Sequence, residues 1–181
     1  HYGRRWNGIT VVSDAIGQGE VNATPLQIAN LAATIANRGY FITPHVVSKI
    51  EGGEIDSLYR TKRYTMVERK YYEYIVAGMR RAVLNGTCRA ANLPGVEVCG
   101  KTGTAENKGH DHSAFIGFAP MDSPRIAIAV YVENGGFGAH FGVPIGSLMI
   151  EQYLNGKLSE ESEKKAETFQ NKHISYGDDE R

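Results

Sequence analysis

Net charge is the first thing this chain lacks: twenty lysines and arginines balance twenty aspartates and glutamates over 181 residues. No field of one sign covers the surface, so the footprint of a nucleic-acid or anionic-membrane binder is missing. Long apolar runs are missing too. The longest, Ile126-Ala-Ile-Ala-Val-Tyr-Val132, falls far short of the ~20 residues that cross a bilayer. Cysteine is scarce: Cys88 and Cys99 stand alone, which excludes a disulfide-dense scaffold or a cysteine-rich zinc site. Whether those two pair or stay as separate buried thiols is left open by their spacing. No secretory signal is visible at the N-terminus. What is present, 41% hydrophobic and 22% charged residues, suits a globular domain with a real core.

Local signals divide the chain. Thr24-Pro-Leu-Gln27 reads as a capping box with proline at the first helical position,. Leu26, Ile28, Ala29, Leu31, Ala32 and Ile35 then form a broad apolar stripe, and Gly39 is the expected left-handed stop,. Val46–Ile50 and Ile55–Tyr59 read as a hairpin around Glu51-Gly-Gly-Glu54,. Thr65-Met-Val-Glu68 reads as a second capping box, opening a helix through Tyr72, Ile75, Val76, Met79 and Val83 that closes at Asn85-Gly86. Strands are expected at Val96–Thr104, Ala114–Ala119 and Arg125–Glu133, in an antiparallel meander,. Pro144 opens a core helix through Leu154, and a surface helix is expected near 159–170. The fold class is therefore α+β, an antiparallel sheet flanked by helices.

The densest chemistry lies in Cys99-Gly-Lys-Thr-Gly-Thr-Ala-Glu106. One cation, two hydroxyls and a flexible backbone fall within Lys101 to Thr104. On a strand entering a hairpin, Lys101-Thr102-Gly103 resembles the third motif of penicillin-binding proteins and serine β-lactamases. Ala15-Ile-Gly-Gln-Gly-Glu20, Thr24-Pro-Leu-Gln27, Ile35-Ala-Asn-Arg-Gly39 and Pro44-His45 resemble the segment upstream of that motif in class B penicillin-binding proteins. His112-Ser-Ala-Phe-Ile-Gly-Phe-Ala-Pro120 resembles the strand after it. The Gly-Gln-Gly-Glu form is most similar to the elongation-type branch, penicillin-binding protein 2.

The resemblance implies a D,D-transpeptidase that crosslinks peptidoglycan stem peptides through a serine acyl-enzyme and is blocked by β-lactams. The family's nucleophile lies in Ser-x-x-Lys and its second motif is Ser-x-Asn or Ser-x-Asp, both upstream of the matched region. This chain has no Ser-x-Asn, and its Ser-x-x-Lys, Ser162 to Lys165, comes after the third motif inside Ser159-Glu-Glu-Ser-Glu-Lys-Lys165, reading as solvated helix surface. Residues 1–156 are thus expected to form the C-terminal part of a transpeptidase domain, inactive alone, and 157–181 a polar tail. In the family a larger sheet is completed by strands from before the nucleophile. One sheet edge should then be bare and invite pairing with a second copy, which light scattering would detect as a dimer.

The resemblance also implies site roles. Thr102 and Thr104 hydroxyls would hold the terminal carboxylate of a D-Ala-D-Ala stem, and the Thr104 N–H would be one oxyanion donor. Lys101 would supply positive potential and a link toward the second motif, and Gly103 close backbone approach. Glu106 stands where the family often has glutamine; alternation places it on the face of Thr102 and Thr104, near an anionic ligand. The parent would be anchored at the periplasmic face of the inner membrane, among elongation-complex proteins, with no cofactor or metal and no nucleic acid. Serine β-lactamases and β-lactam-sensing domains share the triplet, and a non-catalytic peptidoglycan-binding scaffold is the alternative from another class.

Other residues carry weaker signals. His110-Asp111-His112 lies in a loop before a strand, where neighbouring side chains diverge. His140 sits in the glycine-rich turn Gly135–Gly142, which lacks the lysine and hydroxyl of a P-loop,. Asn22-Ala-Thr24 and Asn85-Gly-Thr87 read as helix caps rather than glycosylation sites,. Gln18, between Gly17 and Gly19, has both a functional and a loop-positioning reading.

Overall fold

The computed structural model describes residues 7–19 and 21–174. Helix α1 (Gly8–Ala15) leads through a short loop to α2 (Pro25–Ala36). The α2 capping box forms as expected: Thr24 N–H donates to Gln27 Oε1 at 2.8 Å and Gln27 N–H to Thr24 Oγ1 at 3.3 Å. Only its second half is covered, with Ala32, Thr34, Ile35 and Ala36 buried while Leu26 and Leu31 are exposed. The apolar stripe is therefore half unoccupied, because no described element lies over its first turns. The left-handed stop begins one residue early, at Arg38 (φ 56°), with Gly39 at φ 108°. Arg38 holds that shape by donating to the carbonyls of Ala36 at 2.7 Å and Met121 at 3.2 Å.

The hairpin expected at 46–59 does not form. Residues 46–50 are irregular, Ser57–Tyr59 is a turn of 3₁₀ helix, and Val46 is fully exposed. With Val46, Val47, Ile50 and Leu58 all left exposed, no packed surface drives the pairing,. The excursion is instead closed by the two-residue strands β1 (Tyr40–Phe41) and β2 (Arg63–Tyr64), paired antiparallel. The Thr65–Glu68 capping box is also absent. Helix α3 runs Arg69–Asn85 with Glu68 at its N-cap and no side-chain cap, and the Thr65 hydroxyl is engaged 2.7 Å from the Tyr72 hydroxyl. Tyr72, Val76, Met79 and Val83 are its buried stripe, whereas Ile75 is exposed.

Strands β3 (Cys99–Ala105), β4 (His112–Ala119) and β5 (Ile126–Val132) form the expected antiparallel meander in the order β3-β4-β5. The peptide bond Ala119–Pro120 is cis. Helices α2 and α3 cover one face, where Ile35, Tyr72, Val76, Met79, Cys99 and Phe118 cluster. Helix α4 (Gly142–Asn155) covers the other, where Val143 and Ile150 meet Val83, Cys88, Val98 and Phe115. No further strand joins β3 or β5 among the described residues.

Within the polar tail, residues 160–170 are docked rather than fully solvated. Helix α5 (Glu160–Gln170), capped by Ser159, turns Ser162 inward until it is buried. Its hydroxyl donates to Glu151 Oε2, and Ser159 N–H donates to Glu151 Oε1 at 3.0 Å. Burial pushes the Glu151 carboxyl up, but the bonds from Ser162 and Ser159 and the nearby Lys165 outweigh it and leave the pKa below the ordinary value. A carboxylate depressed in the folded state stabilises above its unfolded pKa of about 4.3 and loses that contribution as pH falls through the folded value. We expect acidification below about pH 4 to speed limited proteolysis within α5, with Glu151→Gln showing no such pH step. An identical pH step in that variant would mean another group holds the helix.

Candidate functional site

The site is built on the outer edge of β3. Register pairs Lys101 with Ile116 and Thr102 with Phe115. Ile116 packs against the α2–α3 cluster, while Phe115 belongs to the α4 core. Lys101 and Thr102 therefore project from opposite faces, as strand alternation requires, and Thr104 shares the Thr102 face. Lys101, Thr104 and Glu106 are exposed; Thr102 and Gly103 are half-buried.

The backbone matters as much as the side chains. In an extended strand a residue's N–H and C=O point to one edge and its neighbours' to the other. Lys101 Nζ donates to the Thr102 carbonyl at 2.7 Å. At Glu106, the N–H donates to Gln18 Oε1 at 3.1 Å and the carbonyl accepts from Gln18 Nε2 at 2.8 Å. Gln18 comes from outside the β3–β4 ladder, so Glu106 faces the outer edge, and by the alternation of the strand Thr102 faces it too,. Thr104, midway between them, turns its N–H and C=O the same way. An extended ligand laid along this edge would meet those groups.

Both flanks are fixed. The Thr102 hydroxyl lies 2.8 Å from that of Thr87, just past α3. The glycine-rich turn presses on the strand backbone: a Cβ at Gly138 would sit 2.6 Å from the Gly103 carbonyl and 2.5 Å from that of Ala114. Ser113 staples this turn down, donating to the Phe137 carbonyl and accepting from Gly142 N–H, each at 3.0 Å. On the Lys101 side a groove of ≈ 630 Å³ runs between α3 and β3, lined by Ile35, Ile75, Met79, Ala82 and Ile116.

Cys88 and Cys99 are free and buried in different clusters. Burial raises the Cys88 thiol, with Thr87, Lys101 and the Thr102 backbone opposing, and pushes Cys99 up to about 11 against Arg80 and Arg38. Both are protonated, poorly nucleophilic thiols near neutrality. The remaining motif residues have structural partners. His112 Nδ1 accepts from Asn134 N–H at 2.9 Å, and its ring lies 5.3 Å from that of Tyr131. His140 meets Phe137 edge-on. Lys165 pairs with Glu161 at 2.8 Å rather than with Ser162. Pattern reading passed over Ser113, a polar group at a buried strand position, and noted Gln18 by its bracketing glycines without finding its partner Glu106.

The penicillin-binding protein transpeptidase domain matches residues 2–149. The peptidoglycan D,D-transpeptidase PbpA of Mycobacterium tuberculosis is 36% identical over 158 residues, covering 79% of this chain and 32% of its own length. The crystal structure of Pseudomonas aeruginosa PBP2 in complex with WCK 5153 superposes with a TM-score of 0.74 at 33% identity, over 88% of this chain and 36% of that one. The imipenem acyl-enzyme of M. tuberculosis penicillin-binding protein A gives a TM-score of 0.65 at 34% identity, over 76% of this chain and 32% of that one. The chain thus spans about a third of the length of these relatives. With its third-motif strand and the segments on either side of it matched in order, the chain belongs to the penicillin-binding protein transpeptidase family, in its PBP2-type branch.

Proposed function

We propose that the protein carrying these residues is a peptidoglycan D,D-transpeptidase of the elongation type, working through a serine acyl-enzyme that β-lactams intercept. The observation that carries this is the outward-facing Thr104 backbone, set between Lys101 and the turn pinned by Ser113. A relative at 34% identity is described as an imipenem acyl-enzyme, which supports the same chemistry here. In this reading Thr104 N–H donates to the oxyanion and the Thr102 and Thr104 hydroxyls hold the stem-peptide carboxylate. Gly103 admits the ligand backbone, and Lys101 supplies positive potential for proton transfer. The serine comes from outside these 181 residues, as do anchoring at the periplasmic membrane face and contacts with other elongation proteins. Residues 1–156 act as the C-terminal part of the catalytic domain, with 157–181 appended; taken by themselves, these residues leave the outer edge of β5 open to pairing with a second copy,.

The test is intact mass of the complete protein with excess penicillin. Gain of one penicillin supports the enzyme; no gain favours a peptidoglycan-binding scaffold that kept the anchoring strand. Within the enzyme, Glu106 is exposed and its backbone is occupied by Gln18. Removing its charge beside an anionic ligand should therefore raise affinity without moving the strand. Glu106→Gln is expected to speed β-lactam acylation by a few-fold at most, roughly the value of one screened exposed charge. An unchanged rate would mean the carboxylate points away from the ligand.

A further inference from the structure

The Gln18 carboxamide makes both hydrogen bonds that a residue of a neighbouring strand would make with Glu106. It is therefore a one-residue substitute for a paired strand, placed on the outer edge two positions beyond Thr104. The loop is shaped for this. Gly17 has φ 83°, and a Cβ at Gly19 would lie 2.0 Å from Asp14 Oδ1 and 2.6 Å from Asp14 N. The loop is also tied back to α1, with Gly17 N–H donating to the Asp14 carbonyl at 3.0 Å and Gln18 N–H to that of Ser13 at 3.1 Å. Both glycines are thus needed to bring this side chain to β3.

We propose that Gln18 is a positioning residue for acyl transfer: it fixes the end of β3 so that the Thr104 N–H keeps its direction as oxyanion donor. This rests on the acyl-transfer reading above. Beyond Ala105 the strand leaves its ladder with β4, and a strand end with exposed bonds frays at little cost. Glu106 is where fraying would begin, and the Gln18 bonds close that point. The contact also ends the free edge, so an extended ligand can pair at Thr104 but not at Glu106.

The experiment uses the complete protein and a fluorescent penicillin, measuring the limiting first-order acylation constant apart from the concentration dependence. Gln18→Ala should still be labelled to completion but with the first-order constant lowered roughly 10- to 100-fold, the scale expected when a reacting group is misplaced. Hydrogen exchange at the Glu106 amide should quicken in the same variant. Gln18→Glu separates positioning from general destabilisation. Its carboxylate can accept from Glu106 N–H but cannot donate to the carbonyl until protonated, so its rate relative to wild type should recover as pH falls toward about 4.3. Wild-type acylation in Gln18→Ala, or a flat Gln18→Glu ratio across pH, would overturn the assignment. A wild-type protein that takes up no penicillin would instead overturn the functional reading, and the acylation role of Gln18 with it, even if exchange at Glu106 showed the clamp intact.

Discussion

Phe115→Ala should be the most damaging single truncation in the chain, at about 3–5 kcal/mol. The side chain is fully buried, and glycines surround it on three elements. A Cβ would come within 2.5 Å of the ring at Gly100 and Gly146, 2.7 Å at Gly117 and 3.1 Å of Phe115 Cβ at Gly142. Glycine at those positions lets α4 lie close on the sheet and lets one aromatic fill the space between them. Four of its neighbours are glycines with no side chain to move into the space, so the site collapses poorly when the ring is removed, and the cavity term stays large,. For a chain of this size the midpoint of thermal unfolding should drop by roughly 6–20 °C. The converse also follows. Gly146→Ala alone should cost about 1–3 kcal/mol through overpacking. Combined with Phe115→Leu it should cost less than the sum, with a coupling of about 0.5–3 kcal/mol. Strict additivity in thermal unfolding followed by circular dichroism would show that ring and glycines do not compete for the same space.

How much of this was legible in the sequence depended on whether the deciding partner was local. The α2 cap was legible because Thr24 and Gln27 satisfy each other within one turn. The look-alike at Thr65 and Glu68 failed because Tyr72 engages the Thr65 hydroxyl. The meander was legible from its short turns and period of two, and its register then set Lys101 apart from Thr102 and Thr104. The hairpin at 46–59 had a turn signal in Glu51-Gly-Gly-Glu54 but nothing to pack on. Ser162 looked like one more polar residue in a charged helix, yet its partner Glu151 lies on another helix. Gln18 could be flagged by its two glycines, but its bonds to Glu106 close a separation of 88 residues. Long-range polar contacts of this kind leave no periodicity to read.

Lys101→Met in the complete protein should slow penicillin acylation by about 10²–10⁴-fold, the range for losing a group that assists proton transfer, while barely moving stability. The two effects separate because Lys101 is exposed and, among the described residues, its ammonium donates to the Thr102 carbonyl of its own strand alone. Methionine keeps the unbranched stem beside the apolar groove of Ile75, Met79 and Ile116, so packing survives and the stability change should stay within about 0.5 kcal/mol. Lys101→Arg sharpens the assignment. A guanidinium restores positive charge, but its planar fork does not reproduce a compact ammonium that can address several acceptors. If Lys101 acted through potential alone, arginine would recover most of the rate; if it passes a proton toward the second motif, arginine should stay close to methionine. Full activity in both variants would remove Lys101 from the machinery and leave the Thr104 edge as this chain's contribution to the reaction.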